Sequence, residues 1–349
     1  MQRSPAHLFI TFTLIGLSGF GGVLPWARRT LVEQKQWLTS QEFNALLGVC
    51  QLVPGPNIVN LAVCVGERFG GVRGAFAAVG GLMLAPMTIV ILLALLYDHY
   101  GEFERVQGIL RGISSVGVGL IAATGFKMLK DELDYTNAGG NCHQYRHCNY
   151  LSVSAWLGCR HHLAARSSGC VEKSAMMIGL VGLFIKLSLF SLIAFGGVNA
   201  LLPTLYDISV NQEGWIDSET FIHYFAIAQA APGPNLLTVT LIGWNAFGLS
   251  GAVLATLAVC WPSCILIFYL QRVIAKLRHL QWKKTIEYSA SALAVGLVLA
   301  SAWQIAIRIN GNWAAYALTV FSILFVLLSK RHPLYLIGLG AILGFFGLI

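Results

Sequence analysis

The sequence predicts an all-α polytopic membrane protein made of two inverted-topology repeats, each of about five transmembrane helices plus one broken, re-entrant element. Three observations carry this. Of the 349 residues, 56% are apolar and only 11% charged, with a mean hydropathy of +0.69, which excludes an ordinary soluble domain. A Pro-Gly-Pro-Asn break occurs twice inside apolar runs, at Pro54-Gly55-Pro56-Asn57 and Pro232-Gly233-Pro234-Asn235. The Lys/Arg bias of the loops reverses between matched positions of the two halves.

Apolar segments near 7–24, 74–97, 112–129, 175–202, 251–270, 288–307, 313–329 and 333–349 are each roughly long enough to cross, or nearly cross, a core ~30 Å thick. Arg3 and His7 lead directly into the first run with no small-residue cleavage site, so no cleavable signal is expected. The net charge of +8 is spread over loops. It reads as topology and contact with anionic lipid, not nucleic-acid binding.

The halves, 1–172 and 173–349, match in order. Phe20-Gly21-Gly22-Val23 pairs with Phe195-Gly196-Gly197-Val198. Trp37, Phe43 and Gln51 pair with Trp215, Phe221 and Gln229, Gly74-Ala75 with Gly251-Ala252, and Pro86 with Pro262. A repeat of half the chain suggests a two-fold transporter architecture. The loop at 25–42 carries Arg28, Arg29 and Lys35, whereas its counterpart carries Asp207, Glu213, Asp217 and Glu219 without Lys or Arg. The acidic and basic loop at 98–111 pairs with a loop holding Arg272, Lys276, Arg278, Lys283 and Lys284. The positive-inside rule then turns the halves opposite ways, with 25–42 and 271–284 cytoplasmic. Arg68 and Arg73 fit best if 43–65 enters and leaves by the same face.

Prolines 54, 56, 232 and 234 remove donors and fix φ, so neither element continues as one helix. A helix restarting after Pro56 presents the N–H groups of Asn57, Ile58 and Val59; Asn235, Leu236 and Leu237 do the same from the other side. Two helix starts facing each other near the midplane make an anion site from free donors and positive dipole ends. The amides of Gln51, Asn57, Gln229 and Asn235 add neutral donors, and Gly55 and Gly233 allow close approach. The alternative is that each break only kinks a helix, which its recurrence at matched positions argues against. Lys186 lies inside an apolar run and is read as a substrate-binding cation; snorkelling to the interface is the competing account. Arg28 could line the cytoplasmic mouth or serve only as a topology signal. Gly21, Gly22, Gly196 and Gly197 allow close helix approach beside the breaks. His223, on the second broken element, could titrate near neutrality or simply pack. No catalytic residue, metal site or cofactor is expected.

The doubled Phe-Gly-Gly and Pro-Gly-Pro-Asn arrangement, with a Gly-x-x-Gly-Ala and a later membrane proline in each half, resembles the chromate ion transporter (CHR) family in its long two-repeat form. The likeness covers nearly the whole chain. It implies chromate efflux, driven by the proton gradient, across a bacterial inner membrane, conferring chromate resistance, with protons and the bilayer as partners. The physical reading reaches only an oxyanion. Other readings are a sulfate or related tetrahedral oxyanion carrier, a non-transporting scaffold, or an impaired paralogue; a homodimer is left open. One departure is Pro25, close behind the first Phe-Gly-Gly, whereas Pro203 lies farther behind the second.

Residues 138–170 break the pattern. Where the repeat calls for an apolar hairpin they read Cys142, His143, His147, Cys148, Cys159, His161, His162 and Cys170. These are zinc-ligand types, but their spacing fits no familiar zinc pattern. The favoured reading is a local frameshift, because shifting Asn141–Tyr150 by one base yields mostly Ala/Val and Ile/Thr. Cys50, Cys64, Cys260 and Cys264 lie in apolar segments and are expected to be buried hydrophobes.

Overall fold

The computed structural model describes residues 3–20, 22–137, 172–194, 197–276, 282–309, 311–329 and 332–349. The segment 138–170, with its zinc and frameshift readings, lies outside them, as do Gly21, Phe195 and Gly196. Among the described residues every regular element is helical.

Helix α1 (Pro5–Ser18) starts on Ser4, whose hydroxyl accepts the His7 N–H, with Pro5 in the first turn where its missing donor does no harm. After the break at 19–23 the chain returns through α2 (Leu24–Arg28) and a π-helical turn, Arg29–Gln34. The end of that turn meets the start of α1: Lys35 Nζ lies 3.4 Å from His7 Nε2, and Trp37 packs edge-on against His7. Within 7–24 the helix ends at Ser18, and the chain turns back so that 35–37 lies beside the start of α1.

Helix α3 (Ser40–Leu52) carries a full capping box, Thr39 with Glu42. Beyond the first Pro-Gly-Pro, α4 (Asn57–Tyr100) runs 44 residues, about 66 Å at ~1.5 Å per residue. That is twice a bilayer core, and α4 bends at Gly71, whose φ of 61° and ψ of −155° suit only glycine. Arg68, just before the bend, forms an ion pair with Glu42 at the start of α3. The start of α3 therefore lies beside the bend where the second part of α4 begins. Helix α5 (Glu104–Asn137) then runs back.

The second half repeats this order: α6 (Glu172–Ile193), a 3₁₀ turn (Val198–Leu201), α7 (Leu202–Tyr206), a π-helical turn (Asp207–Gln212), α8 (Ser218–Ala230) and α9 (Leu237–Lys276). Asp217 caps α8, and α9 bends at Phe247-Gly248. Helices α10 (Trp282–Ile309), α11 (Trp313–Leu328) and α12 (Leu334–Phe345) close the chain. The start of α8 and the α9 bend meet the far end of α4: Tyr97 bonds to His223, and Trp244 Nε1 donates to Asp98 at 3.1 Å. The two hairpins thus enter from opposite ends of the long part of α4.

Among the described residues three helices are long and apolar enough to cross a membrane, in 57–100, 104–130 and 237–271, or four if the bent pair 177–193 and 198–212 is one span. The shorter apolar helices α1, α11 and α12 fall below that length. The halves interlock: α5 packs on α8, α10 on α3, and α4 on α9. Backbones touch where side chains are absent, at Gly66 with Gly74, Gly243 with Gly251, and Gly112 with Gly340. Leucines and isoleucines on the outside, such as Ile10, Leu92, Ile185 and Ile265, remain exposed, as a lipid-facing surface requires.

Candidate functional site

Pro54 and Pro232 end α3 and α8 by forcing Val53 and Ala231 into extended conformations. Gly55 and Gly233 follow at φ 109° and 134°, a region that side chains strain to adopt. Each break is held by the opposite half. The Gly55 N–H donates to the Ala194 carbonyl at 2.9 Å, and the Gly233 N–H donates to the Gly19 carbonyl at 3.4 Å. Gly19 and Ala194 directly precede the two Phe-Gly-Gly sequences, so each Pro-Gly-Pro is tied to the other half's Phe-Gly-Gly. A Cβ on Gly233 would lie 2.6 Å from Pro86 Cβ, and one on Gly55 would collide with Ser263. Ser263 of α9 thus faces the first break, and Pro86 of α4 the second.

The two asparagines meet one short segment. A Cβ on Gly197 would lie 3.3 Å from Asn57 Nδ2. Asn235 Nδ2 donates to Asn199 Oδ1 at 3.0 Å, and Ser301 of α10 anchors the Asn199 carbonyl at 2.8 Å. The starts of two helices from opposite halves thus converge on Gly197–Asn199. Asn57 Oδ1 is buried and has no hydrogen-bond partner among the described residues. One turn on, Asn60 is fully buried with neither amide atom partnered. Buried polar atoms in native proteins are normally bonded, so these amides have capacity to spare.

The N–H groups at the helix starts differ slightly from expectation. Val59 and Asn60 both donate to the Pro56 carbonyl at 3.0 Å, and Leu237 donates to the Pro234 carbonyl at 3.1 Å. Among the described residues the donors left at the first start are Asn57 and Ile58, and at the second Asn235, Leu236 and Thr238. Chemically this is a set of neutral N–H donors at positive helix ends, with no fixed cation among the contacts just described.

The remaining candidates sit elsewhere. Gln51 is half-buried in the last turn of α3, and Gln229 is buried on α8 against Gly117 of α5. Pro54, Pro56, Pro232 and Pro234 are buried in the breaks, and Gly22 holds φ 133°. Arg28 is exposed on α2. Lys186 forms an ion pair with Glu213 and lines a cleft of about 220 Å³ with Phe190, Thr204 and Gln212. It does not reach the asparagines among the contacts described. Cys50, Cys64 and Cys260 are buried. Among the described residues no three His, Cys, Asp or Glu side chains lie close enough to hold a metal. Asn60, Asn199 and Ser301 are absent from the sequence-based candidates. Their signal was a polar residue within an apolar run, which also marks many ordinary packed positions.

Comparison with known proteins gives a consistent picture. The family described as Chromate transporter matches residues 6–165 and 181–345. The chain is 24% identical to a Methanocaldococcus jannaschii protein named Uncharacterized transporter MJ0718, over 96% of this chain and 92% of that one. It is 27% identical to the Chromate transport protein of Cupriavidus metallidurans, over 73% of this chain and 71% of the relative. It is also 27% identical to the Chromate transport protein of Pseudomonas aeruginosa, over 75% and 72% respectively. No solved structure matches the chain.

Proposed function

The chain belongs to the chromate transporter family, and from that premise we propose that it exports chromate, driven by an inward proton gradient, across a bacterial inner membrane. Relatives named for chromate transport support the substrate. The observation that carries the site is the convergence of two helix starts from opposite halves on Gly197–Asn199. In this reading Asn57, Asn235 and the neighbouring backbone N–H groups hold the oxyanion, with Gly55 and Gly233 allowing it to approach the backbone. The Asn57 amide turns its Nδ2 toward the anion. Neutral donors release a dianion more readily than a buried lysine would, because a paired charge in a dry site is costly to separate.

The fold reading is two inverted repeats that rock against each other. Its support is the entry of the α3 and α8 hairpins from opposite ends of α4. Lys and Arg are denser at one end, as the positive-inside rule requires: Arg28, Arg29, Lys35, Arg68 and Arg73 lie there, against Arg105 and Arg111 at the other, which also carries Asp98, Glu213, Asp217 and Glu219. Arg28 at the basic end and Lys186 toward the acidic end would then attract the anion at the two mouths. They would not bind it at the centre. Sulfate is the competing substrate, being a tetrahedral dianion of similar size that the same donors would accept.

Everted membrane vesicles test this. Uptake of radiolabelled chromate should depend on an imposed proton gradient, and sulfate should compete weakly. Uptake of sulfate but not chromate would move the assignment to the second substrate. Absence of both from well-expressed protein would favour a scaffold.

A further inference from the structure

We propose that His223, held by Tyr97, is a proton-binding residue at the acidic end of the molecule, and that its charge decides whether α8 stays seated on α4. The proposal rests on the reading of the chain as a proton-driven carrier, and it names the residue through which the proton acts.

His223 lies in the second turn of α8 and is 1% exposed. Its Nδ1 is 2.8 Å from the Tyr97 hydroxyl, and the two rings meet edge to face at 5.5 Å. Tyr97 belongs to the last turn of α4, so this bond joins the two halves where α4 ends. The other ring nitrogen, Nε2, is buried and has no partner among the described residues. The surrounding charges are Asp217 and Glu219 on α8, Asp98 on α4 and Arg111 on α5. Arg111 is paired with Glu219 at 3.0 Å, and Asp98 accepts from Trp244. Toward α9 the facing groups are neutral, with Asn245 donating to the Tyr224 hydroxyl at 3.0 Å.

A neutral imidazole has one donor and one acceptor nitrogen. Either tautomer is tolerable here, with Tyr97 donating to Nδ1 or accepting from it. After one proton is taken from solution both tautomers become the same cation. Its Nδ1–H faces Tyr97 and its Nε2–H faces nothing. A buried cation with an unmet donor is strongly disfavoured. It is relieved if α8 swings off α4, so that Nε2 reaches water or one of the nearby carboxylates. The arrangement described here is then the neutral, closed form of this end. Protonation from the acidic side opens it, and release of that proton toward the basic side lets it close, so that one proton crosses inward in each cycle. Once α8 has swung away and the ring meets water, the imidazole regains an ordinary pKa, which lies within the range a transmembrane proton gradient explores.

The test uses the full-length protein in liposomes, comparing wild type, His223→Gln and Tyr97→Phe. Two readouts are needed: chromate counterflow at equal pH on both sides, and uptake driven by a pH difference. Wild type should show both. His223→Gln, which cannot take the proton, should hold this end closed: counterflow should fall by about tenfold or more and lose the rise that wild type shows as the pH of both sides is lowered together, and gradient-driven uptake should fall with it. Tyr97→Phe should keep the drive but move its pH midpoint by about half a unit, because it removes the hydrogen bond that one ring nitrogen makes. Wild-type counterflow with no response to the gradient would overturn proton coupling and this proposal together. Coupled wild type with an equally coupled His223→Gln would overturn the proposal and leave coupling intact. If His223→Gln fails to assemble, an unmoved midpoint in Tyr97→Phe overturns it.

Discussion

Asn57 and Asn235 are the residues on which the binding reading turns. Each amide lies beside the Gly197–Asn199 segment, and a hydrogen bond to a charged partner contributes about 1.5–3 kcal/mol. Asn57→Ala and Asn235→Ala should each lower chromate uptake by roughly 10- to 150-fold at unchanged protein level, since ~1.4 kcal/mol is tenfold. Vesicle uptake normalised to protein measures it, and wild-type uptake in both variants would remove the site. Asn57 and Asn235 could be picked out of the sequence because a proline-broken helix start has a recognisable spelling. Asn60 could not, because nothing in its neighbours says that its amide would be buried without a partner. Lys186 stood out as a charge in an apolar run, but no local pattern pointed to Glu213, which reaches it from beyond a sharp bend in the chain.

Glu42 offers a check at the basic end. The Thr39 backbone N–H, with Arg68 beside it, holds the Glu42 carboxyl well below its ordinary 4.5, at about 2. A depressed folded pKa means that the stabilisation is complete above about 4.5 and is lost as pH falls toward 2. Glu42→Gln should therefore lower the melting temperature in detergent at pH 7, and the gap from wild type should close only in that acid window. The pair is exposed, so the loss should stay below about 1 kcal/mol; the glutamine amide oxygen still accepts from the Thr39 N–H, so the capping box is kept.

At the scale of elements, four glycines do different work. Gly55 and Gly233 combine a positive φ with a neighbour pressed against the missing side chain, Ser263 in one case and Pro86 in the other. Gly71 and Gly248 have positive φ but open space around them. Gly71→Ala should cost only backbone strain, about 1–3 kcal/mol. Gly55→Ala should cost more and also reduce transport, because relief requires moving α9 away from the break. Melting temperatures of the two variants, measured side by side, give the order; a milder effect at Gly55 would mean that the close packing drawn there does not hold. The ends of α3 and α8 were legible in Pro54 and Pro232, and their starts in Thr39 with Glu42 and in Asp217. The bend of α4 was legible too but was not used: Phe69-Gly70-Gly71-Val72 repeats the tetrapeptide at 20–23. Hydropathy over 7–24 counted residues without registering that the helix inside the run ends at Ser18, capped by Gly19. The interlock of each Pro-Gly-Pro with the opposite half was beyond reach, since a hydrogen bond between Gly55 and Ala194 leaves no local trace in either stretch.

For the whole molecule the decisive quantity is which face each half opens to. Lys35 against His7 and Arg68 against Glu42 gather the ends of two hairpins at the start of the long part of α4. Tyr97 against His223, and Arg111 against Glu219, gather the corresponding part of the second half at its finish. The length of α4 between them, from Gly71 to Tyr100, is about 44 Å at ~1.5 Å per residue, enough to separate the two sets across a bilayer. Glu33 and Asn211 are exposed, each in one of the two π-helical turns that close the first hairpin of its half. Placed singly as Glu33→Cys and Asn211→Cys in a background without the eight native cysteines, they report the two faces directly. A membrane-impermeant maleimide should label Asn211→Cys in intact cells and Glu33→Cys only in everted vesicles. Labelling of both from one side would mean that the halves are parallel. The reversed charge of their loops would then need another cause, and two helix starts entering by the same face could not alternate access around a shared anion.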